Sequence, residues 1–320
     1  VTGRAQVFAA MADRGLDALV LGRQDNATWA TGMHRLWTAG TRPFGAGCVL
    51  VAATEGVHLL SSWDDGIPPD VPFDHLYGVT WNPAVMADAM AAIPGLAEAD
   101  RLGVDALSPG FRRAAAGFAP HAEIVAADDL LAELRRRKGE DEVAAVRRSC
   151  AVARVGLDAV GEEAGALEGP ASAEHLRAVG LLALAGAGGT VPSSGVAVGV
   201  GPLGATVDIG VLVDDWEGGL GRTLSPDGAA RGGRTEERVR ALIAACCPGA
   251  TGAELQASGG DESWLVRGVG MGFERPVVGP GLGADVELVE GDVLSVAVSG
   301  DERHHREVIV VTDGSPEVLT

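Results

Sequence analysis

Lysine is almost missing from this sequence. Lys138 is the only one among 25 Lys and Arg residues, and these face 44 Asp and Glu for a formal net charge of −19. A nucleic-acid backbone is gripped by clustered Lys and Arg, so this balance excludes such a partner. Arginine in place of lysine, with 47 glycines and abundant alanine, is a mark of GC-rich coding and not a functional signal. Cysteine is also scarce. Cys48, Cys150, Cys246 and Cys247 make no disulfide framework, and no Cys-x-x-Cys pair suggests zinc. The adjacent Cys246 and Cys247 precede Pro248-Gly249 and read as packing at a helix end. The opening Val1-Thr-Gly-Arg-Ala-Gln6 has no basic patch leading into an apolar core, so no signal peptide is expected and the expected location is cytoplasmic. Residues 178–207 carry no charge at all. Their helix-capable part, 178–186, is far short of the ~20 residues a membrane span needs, and no membrane association is expected.

At 320 residues, with 47% hydrophobic and 22% charged side chains, the chain can fold two soluble domains, each with its own core. Helical patterns at 4–15, 86–92 and 109–118 alternate with strand patterns at 16–21, 48–53, 57–61 and 102–105. An α/β N-terminal domain over 1–130 is expected. A charged run at 135–142 marks the boundary, and an α+β domain is expected over 131–320. Its helices fall at 142–162, 172–185 and 235–246, and its strands at 265–273, 286–289, 293–298 and 307–312. No repeat of solenoid period is present.

The stretch from Gly204 to Leu224 organises the second half. Val207, Ile209, Val211 and Val213 alternate up to Asp214-Asp215, and a second strand leads into Arg222-Thr223. Such a hairpin can carry carboxylates inward to hold a metal ion. Gly199-Val-Gly-Pro-Leu-Gly204 fits the G-x-G-x-x-G pattern, but it precedes a strand and no helix start, so it is rejected as a nucleotide site. Gly268, Gly270 and Gly272 alternate on one strand, which suits close packing or substrate approach.

These segments resemble a known family in order. Gly15-Leu-Asp-Ala-Leu-Val-Leu21 with Asn26-Ala-Thr-Trp-Ala-Thr-Gly32 is similar to the N-terminal domain of the creatinase/aminopeptidase P/prolidase superfamily. Leu134-Arg-Arg-Arg-Lys-Gly-Glu-Asp-Glu-Val143 resembles the opening of its pita-bread domain. Asp208, Asp214, Trp216 and Arg222-Thr223 resemble its metal hairpin, and Gly268-Val-Gly-Met-Gly272 with Pro276 its glycine-rich strand. The segments 288–296 and 310–320 resemble its closing strands. The resemblance implies a creatinase-type α/β domain followed by a pita-bread domain, and a homodimer. In such a dimer the loop 34–44 would reach the partner's pocket.

The family's peptidases hold two metal ions with two Asp, one His and two Glu, as two-metal hydrolysis requires. By the resemblance only Asp208 is retained. The second Asp position is Gly219, the His is Arg267, the two Glu are Ala297 and Arg306, and a further His falls at Glu274. A guanidinium stays protonated and cannot become a ligand, so no metal and no other cofactor is expected. A shifted site using Asp214, Asp215, Glu217, His304 or His305 is the alternative. Creatinase is the family's precedent for C–N hydrolysis without metal, by His and Glu side chains.

The candidate catalytic residues are therefore Asp208, Glu274 and His304, with His305 beside it. Arg267 and Arg306 are candidates for gripping a substrate carboxylate or an oxyanion. Trp216 is a candidate for stacking on the ligand, and Arg222 for supporting the substrate-binding hairpin. Each has a structural alternative. Asp208 can pair with Arg267 or Arg306, Glu274 can pair with Arg275, His304 and His305 can lie on a solvated strand end, and Trp216 can pack. The functional expectation is a metal-independent enzyme on a small amino-acid-derived or carboxylate-bearing molecule, by C–N cleavage, elimination or cyclisation. A non-catalytic binding or scaffold protein, and a residual Xaa-Pro peptidase, are the alternatives.

Overall fold

The computed structural model describes residues 3–34, 47–61, 66–78, 80, 82–167, 172–190, 195–260, 262–300 and 303–320, with Phe273 described by its backbone alone. Most of the loop at 34–44 lies outside the described residues. The chain divides into two compact units, Val1–Arg135 and Arg136–Thr320.

The first unit runs α1 (Arg4–Arg14), β1 (Ala18–Leu21), α2 (Gln24–Thr31), β2 (Cys48–Val51), β3 (Gly56–Leu60), β4 (Leu76–Tyr77), α3 (Pro83–Ala91), β5 (Arg101–Val104), α4 (Pro109–Ala115), β6 (Glu123–Ala126) and α5 (Asp128–Arg136). Gly15 ends α1 in the left-handed region at φ 60°, a conformation that glycine adopts without a Cβ penalty. Ser108 starts α4 by accepting from the Phe111 N–H at 3.1 Å, which satisfies an orphan donor of the first turn. The six strands order as β4-β3-β2-β1-β5-β6, with β2 antiparallel to both β1 and β3, and β1, β5 and β6 parallel. Val20, Val49, Val51, Leu102 and Val104 pack on Met86, Met90, Leu96 and Phe118. At the end of β5, Asp105 accepts from the Gly22 N–H and, at 2.8 Å, from Asn26 Nδ2, tying β5 to the start of α2. His58 is buried, stacked on His75 with ring centroids 4.1 Å apart.

The second unit runs α6 (Glu140–Ala166), α7 (Ala173–Gly186), β7 (Val196–Gly201), β8 (Gly204–Val213), β9 (Trp216–Leu224), β10 (Ala230–Arg231), α8 (Arg234–Ala245), α9 (Gly252–Gly259), β11 (Ser263–Gly270), β12 (Gly272–Val278), β13 (Val293–Gly300), β14 (Arg303–Val310) and β15 (Glu317–Val318). Seven strands follow the antiparallel order β12-β11-β13-β14-β9-β8-β7. One face of this sheet is apolar. Val207, Ile209, Val211, Leu220 and Leu224 pack on Ala153, Leu157 and Val160 of α6 and Leu176 and Leu184 of α7. Val266, Leu294, Val296, Val298 and Ile309 pack on Val239 and Leu242 of α8 and Leu255 of α9. Period-two alternation then turns the intervening residues to the opposite face.

Two expected strands differ, and one helix is new. The strand expected at 265–273 is the end of β11 and the start of β12, folded back at Met271–Gly272, where Gly272 has φ 99°. Residues 286–289 form no strand, only a bridge from Glu287 to Thr251. The helix α9 was not expected. It has no apolar stripe, and its signal is the capping box of Thr251 and Glu254.

Candidate functional site

The polar face of the second unit's sheet is built by register. Asp208 on β8 lies opposite Gly221 on β9, Gly221 opposite Arg306 on β14, and Arg306 opposite Ala297 on β13. Arg267 on β11 faces Ser295 on β13, two residues along from Ala297. Positions 208, 219, 267, 297 and 306, which the resemblance sets against the family's metal ligands, thus share one face.

Asp208 and Arg306 reach each other across β9 because β9 is bare there. A Cβ at Gly219 would meet Arg306 Nη2 at 2.5 Å, and one at Gly221 would meet His304 Nε2 at 2.3 Å and Asp208 Oδ1 at 3.0 Å. These glycines leave a trough in which Arg306 Nε lies 2.8 Å from Asp208 Oδ1 and His304 Nε2 lies 3.3 Å from the same oxygen. Neither contact has the alignment of a hydrogen bond, so charge and proximity join the three groups. Arg306 Nη2 also donates to the Ile209 carbonyl. Burial pushes the Asp208 carboxyl up, but the His304 contact and the charges of Arg306, His304 and Arg267 outweigh it and hold the group below the usual carboxylate range. The Asp208 side chain keeps 40% exposure while Arg306 keeps 9%, so the carboxylate is the part of the pair open to solvent.

The other ring nitrogen of His304 is also engaged. Ser299 lies opposite His304 across the β13–β14 hairpin, and its Oγ is 2.8 Å from His304 Nδ1. The His304 backbone N–H donates to Thr223 Oγ1 at 2.8 Å, fixing β14 against β9 where regular pairing stops. His304 is therefore an ordered part of the face, not a solvated strand end; its side chain is 16% exposed.

Arg267 is paired with Glu217 through both guanidinium nitrogens, Nη1 at 3.1 Å from Oε2 and Nη2 bonded to Oε1. Both side chains are mostly buried. A bidentate pair of this kind is geometrically specific and charge-neutral. Of the two arginines offered as structural partners of Asp208, Arg306 stands against it while Arg267 takes Glu217, a partner that spacing alone does not pick out.

Four other expected site residues lie elsewhere. Trp216 and Arg222 differ from Gly221 by an odd number of positions on β9, so both face the helices. Trp216 is buried, and its carbonyl accepts from Ser149 Oγ at 2.9 Å. That placement replaces the expected stacking platform with packing. Arg222 ion-pairs with Glu307 and donates to the Arg306 carbonyl at 2.9 Å, so it props β14 against β9 and does not reach the polar face. His305 is on the same side as Arg222, 2.9 Å from Glu307. Glu274 is buried against Lys138, the chain's only lysine, and accepts from the Met271 N–H at 3.0 Å. Its side chain is thus enclosed and not part of a solvated surface.

The donor set does not fit the family's metal pair. Asp208 brings one carboxylate, but Arg306 stands against it and Arg267 neutralises Glu217, so fixed positive charge occupies the space that dications would need. Among the described residues there is no group of three or more His, Cys, Asp or Glu placed to hold a metal ion.

Residues 4–137 match the creatinase/prolidase N-terminal domain family. Solved structures match over nearly the whole chain. A prolidase from Pyrococcus horikoshii OT3 is 16% identical, with TM-score 0.73, covering 99% of this chain and 97% of its own. An X-Pro aminopeptidase from Thermotoga maritima MSB8 is 12% identical, with TM-score 0.76 and coverage of 100% and 98%. Residues 4–137 thus carry a creatinase/prolidase-type N-terminal domain, and the chain as a whole has the fold of these prolidase and aminopeptidase structures. A Xaa-Pro dipeptidase from Bacillus anthracis is 15% identical, with TM-score 0.71 and coverage of 99% and 96%. No curated protein is a significant match. At these identities the structures establish the pita-bread fold and nothing finer. No helix among the described residues is long and apolar enough to cross a membrane.

Proposed function

We propose that this protein is a metal-independent enzyme acting on a small amino-acid-derived or carboxylate-bearing molecule at the polar face around Asp208, His304 and Arg306. The observation that carries the reading is the trough over Gly219 and Gly221, where an imidazole, a solvent-open carboxylate and a guanidinium converge. An imidazole can transfer protons near neutral pH. The exposed Asp208 oxygen suits a substrate ammonium, and the Arg306 guanidinium suits a carboxylate or a developing oxyanion. Thermal-shift screening with small amino-acid derivatives tests this. Stabilisation of the wild type that is lost in Arg306→Ala and Asp208→Asn is expected; ligands that stabilise all three equally place the binding elsewhere.

A second reading is a non-catalytic binding or scaffold protein. It is favoured by the bidentate Arg267–Glu217 pair, which withholds one of the two expected substrate-gripping arginines. Absence of turnover on every amino-acid ester and amide tried, together with tight binding of a larger partner at the same face, would select it. A homodimer belongs to both readings, and size-exclusion with light scattering measures it directly.

A further inference from the structure

We propose that Ser299 is a nucleophile activated by His304 and oriented through Asp208, so that this face cleaves esters or amides of small amino-acid derivatives by acyl transfer. The proposal rests on the metal-independent reading above and gives it a reaction class. Its basis is a three-member line. Ser299 Oγ is 2.8 Å from His304 Nδ1, and the ring's other nitrogen, Nε2, is 3.3 Å from Asp208 Oδ1. Nucleophile, base and carboxylate are recognised by such geometry and not by their order in the chain.

Three features set this line apart from a chance hairpin contact. Ser299 is exposed at the end of β13, so a substrate carbonyl can reach its Oγ. The His304 side chain is mostly buried, with its backbone N–H pinned by Thr223 Oγ1. The ring also lies in the space left by the missing Cβ of Gly221, which is what brings Nε2 to Asp208 from two strands away. An ionised Asp208 favours the tautomer with the proton on Nε2 and leaves the Nδ1 lone pair free for the Ser299 proton.

The step balances with water as the second reactant. Ser299 Oγ bonds to the substrate carbonyl carbon as its proton passes to His304 Nδ1. The bond from that carbon to the leaving oxygen or nitrogen breaks, and the leaving alcohol or amine takes the proton. Water then attacks the acyl carbon and gives a proton to Nδ1. The Oγ–carbon bond breaks, Oγ recovers that proton, and the carboxylic acid departs. Asp208 stays ionised throughout and is a positioning residue.

The test uses the full chain and a fluorophosphonate probe, which phosphonylates an activated serine with loss of fluoride. Intact mass and peptide mapping are expected to give one adduct, on Ser299. It disappears in Ser299→Ala and forms slower by on the order of 10²-fold or more in His304→Gln. Circular dichroism checks that both variants are folded, and Ser299→Thr serves as a second replacement. For Asp208→Asn, the pH–rate profile for p-nitrophenyl esters in EDTA is expected to shift. An adduct on another residue, or none, overturns the proposal. Ester turnover in EDTA that Ser299→Ala retains and His304→Gln loses overturns the nucleophile while leaving the metal-independent reading standing. Turnover that appears only with added Mn²⁺ overturns both.

Discussion

Replacing Gly221 with alanine puts a methyl carbon 2.3 Å from His304 Nε2 and 3.0 Å from Asp208 Oδ1. At an ordinary strand position the same change removes glycine's extra conformational freedom and stabilises by about 0.5–1 kcal/mol. Here the added carbon overlaps the ring, and overpacking typically costs about 1–3 kcal/mol. The His304 side chain has some exposure and can swing outward, so the high end is not reached: about 2 kcal/mol of overpacking, less the backbone gain, leaves a net loss of about 1 kcal/mol. Because the two units need not unfold together, the measurement is hydrogen–deuterium exchange of β9 amides as urea is raised, compared with wild type. The sign is the test. In a His304→Ala background the methyl group has room on the ring side, so Gly221→Ala becomes neutral or stabilising, and the double-mutant cycle returns a coupling of about 1–2 kcal/mol. If Gly221→Ala stabilises β9 equally in both backgrounds, His304 does not sit over Gly221 and the trough is wrong.

The remaining predictions concern neighbouring charges and metal. Glu217→Gln removes the partner of the largely buried Arg267 and destabilises the second unit by about 3 kcal/mol, whereas Glu217→Leu with Arg267→Met costs much less, by urea unfolding. In the first unit two titrations oppose each other. Burial, and then the charge of His75, lowers His58 to about 4; the unfolded chain then binds the extra proton, so this term raises stability from about pH 4 to about 6.5. Burial raises Asp105 to about 6; the folded chain then holds the extra proton, so this term lowers stability from about pH 3.9 through 6. Thermal melts between pH 4 and 7 are expected to steepen upward with pH in Asp105→Asn and to slope downward in His58→Asn. Added Mn²⁺ or Co²⁺ is expected to leave the Tm of the wild type unchanged, and a saturable rise would point to a metal site.

Much of the framework was legible because it follows from short-range pattern. The run Val207, Ile209, Val211 alternates with polar or small residues, and Asp214-Asp215 makes the turn with φ of 49° and 67°, which Asp tolerates better than most residues. The hairpin was therefore readable, and so was its apolar face. Which side each β9 residue faces was harder, since a one-residue offset inverts the face. Trp216 and Arg222 looked like site residues by proximity to Asp208 in the motif, yet parity turns them to the helices. The fold-back at Gly272 was hidden because Gly268, Gly270 and Gly272 continue the alternation through the turn. Partners far apart in sequence were out of reach: nothing local ties Glu274 to Lys138, or Arg267 to Glu217. Ser299 carried no signal of its own. Its only clue was lying five residues before His304, and the pairing of β13 with β14 sets the two opposite each other.

The central claim, metal-independent chemistry at Asp208, His304 and Arg306, is tested most directly by turnover of one preparation before and after exhaustive chelation. Metal content is measured on the same samples, and His304→Gln is run in parallel. The account predicts a rate that chelation and added Mn²⁺ leave unchanged and that His304→Gln abolishes. A rate that falls in step with metal content, or one that His304→Gln leaves intact, would contradict it.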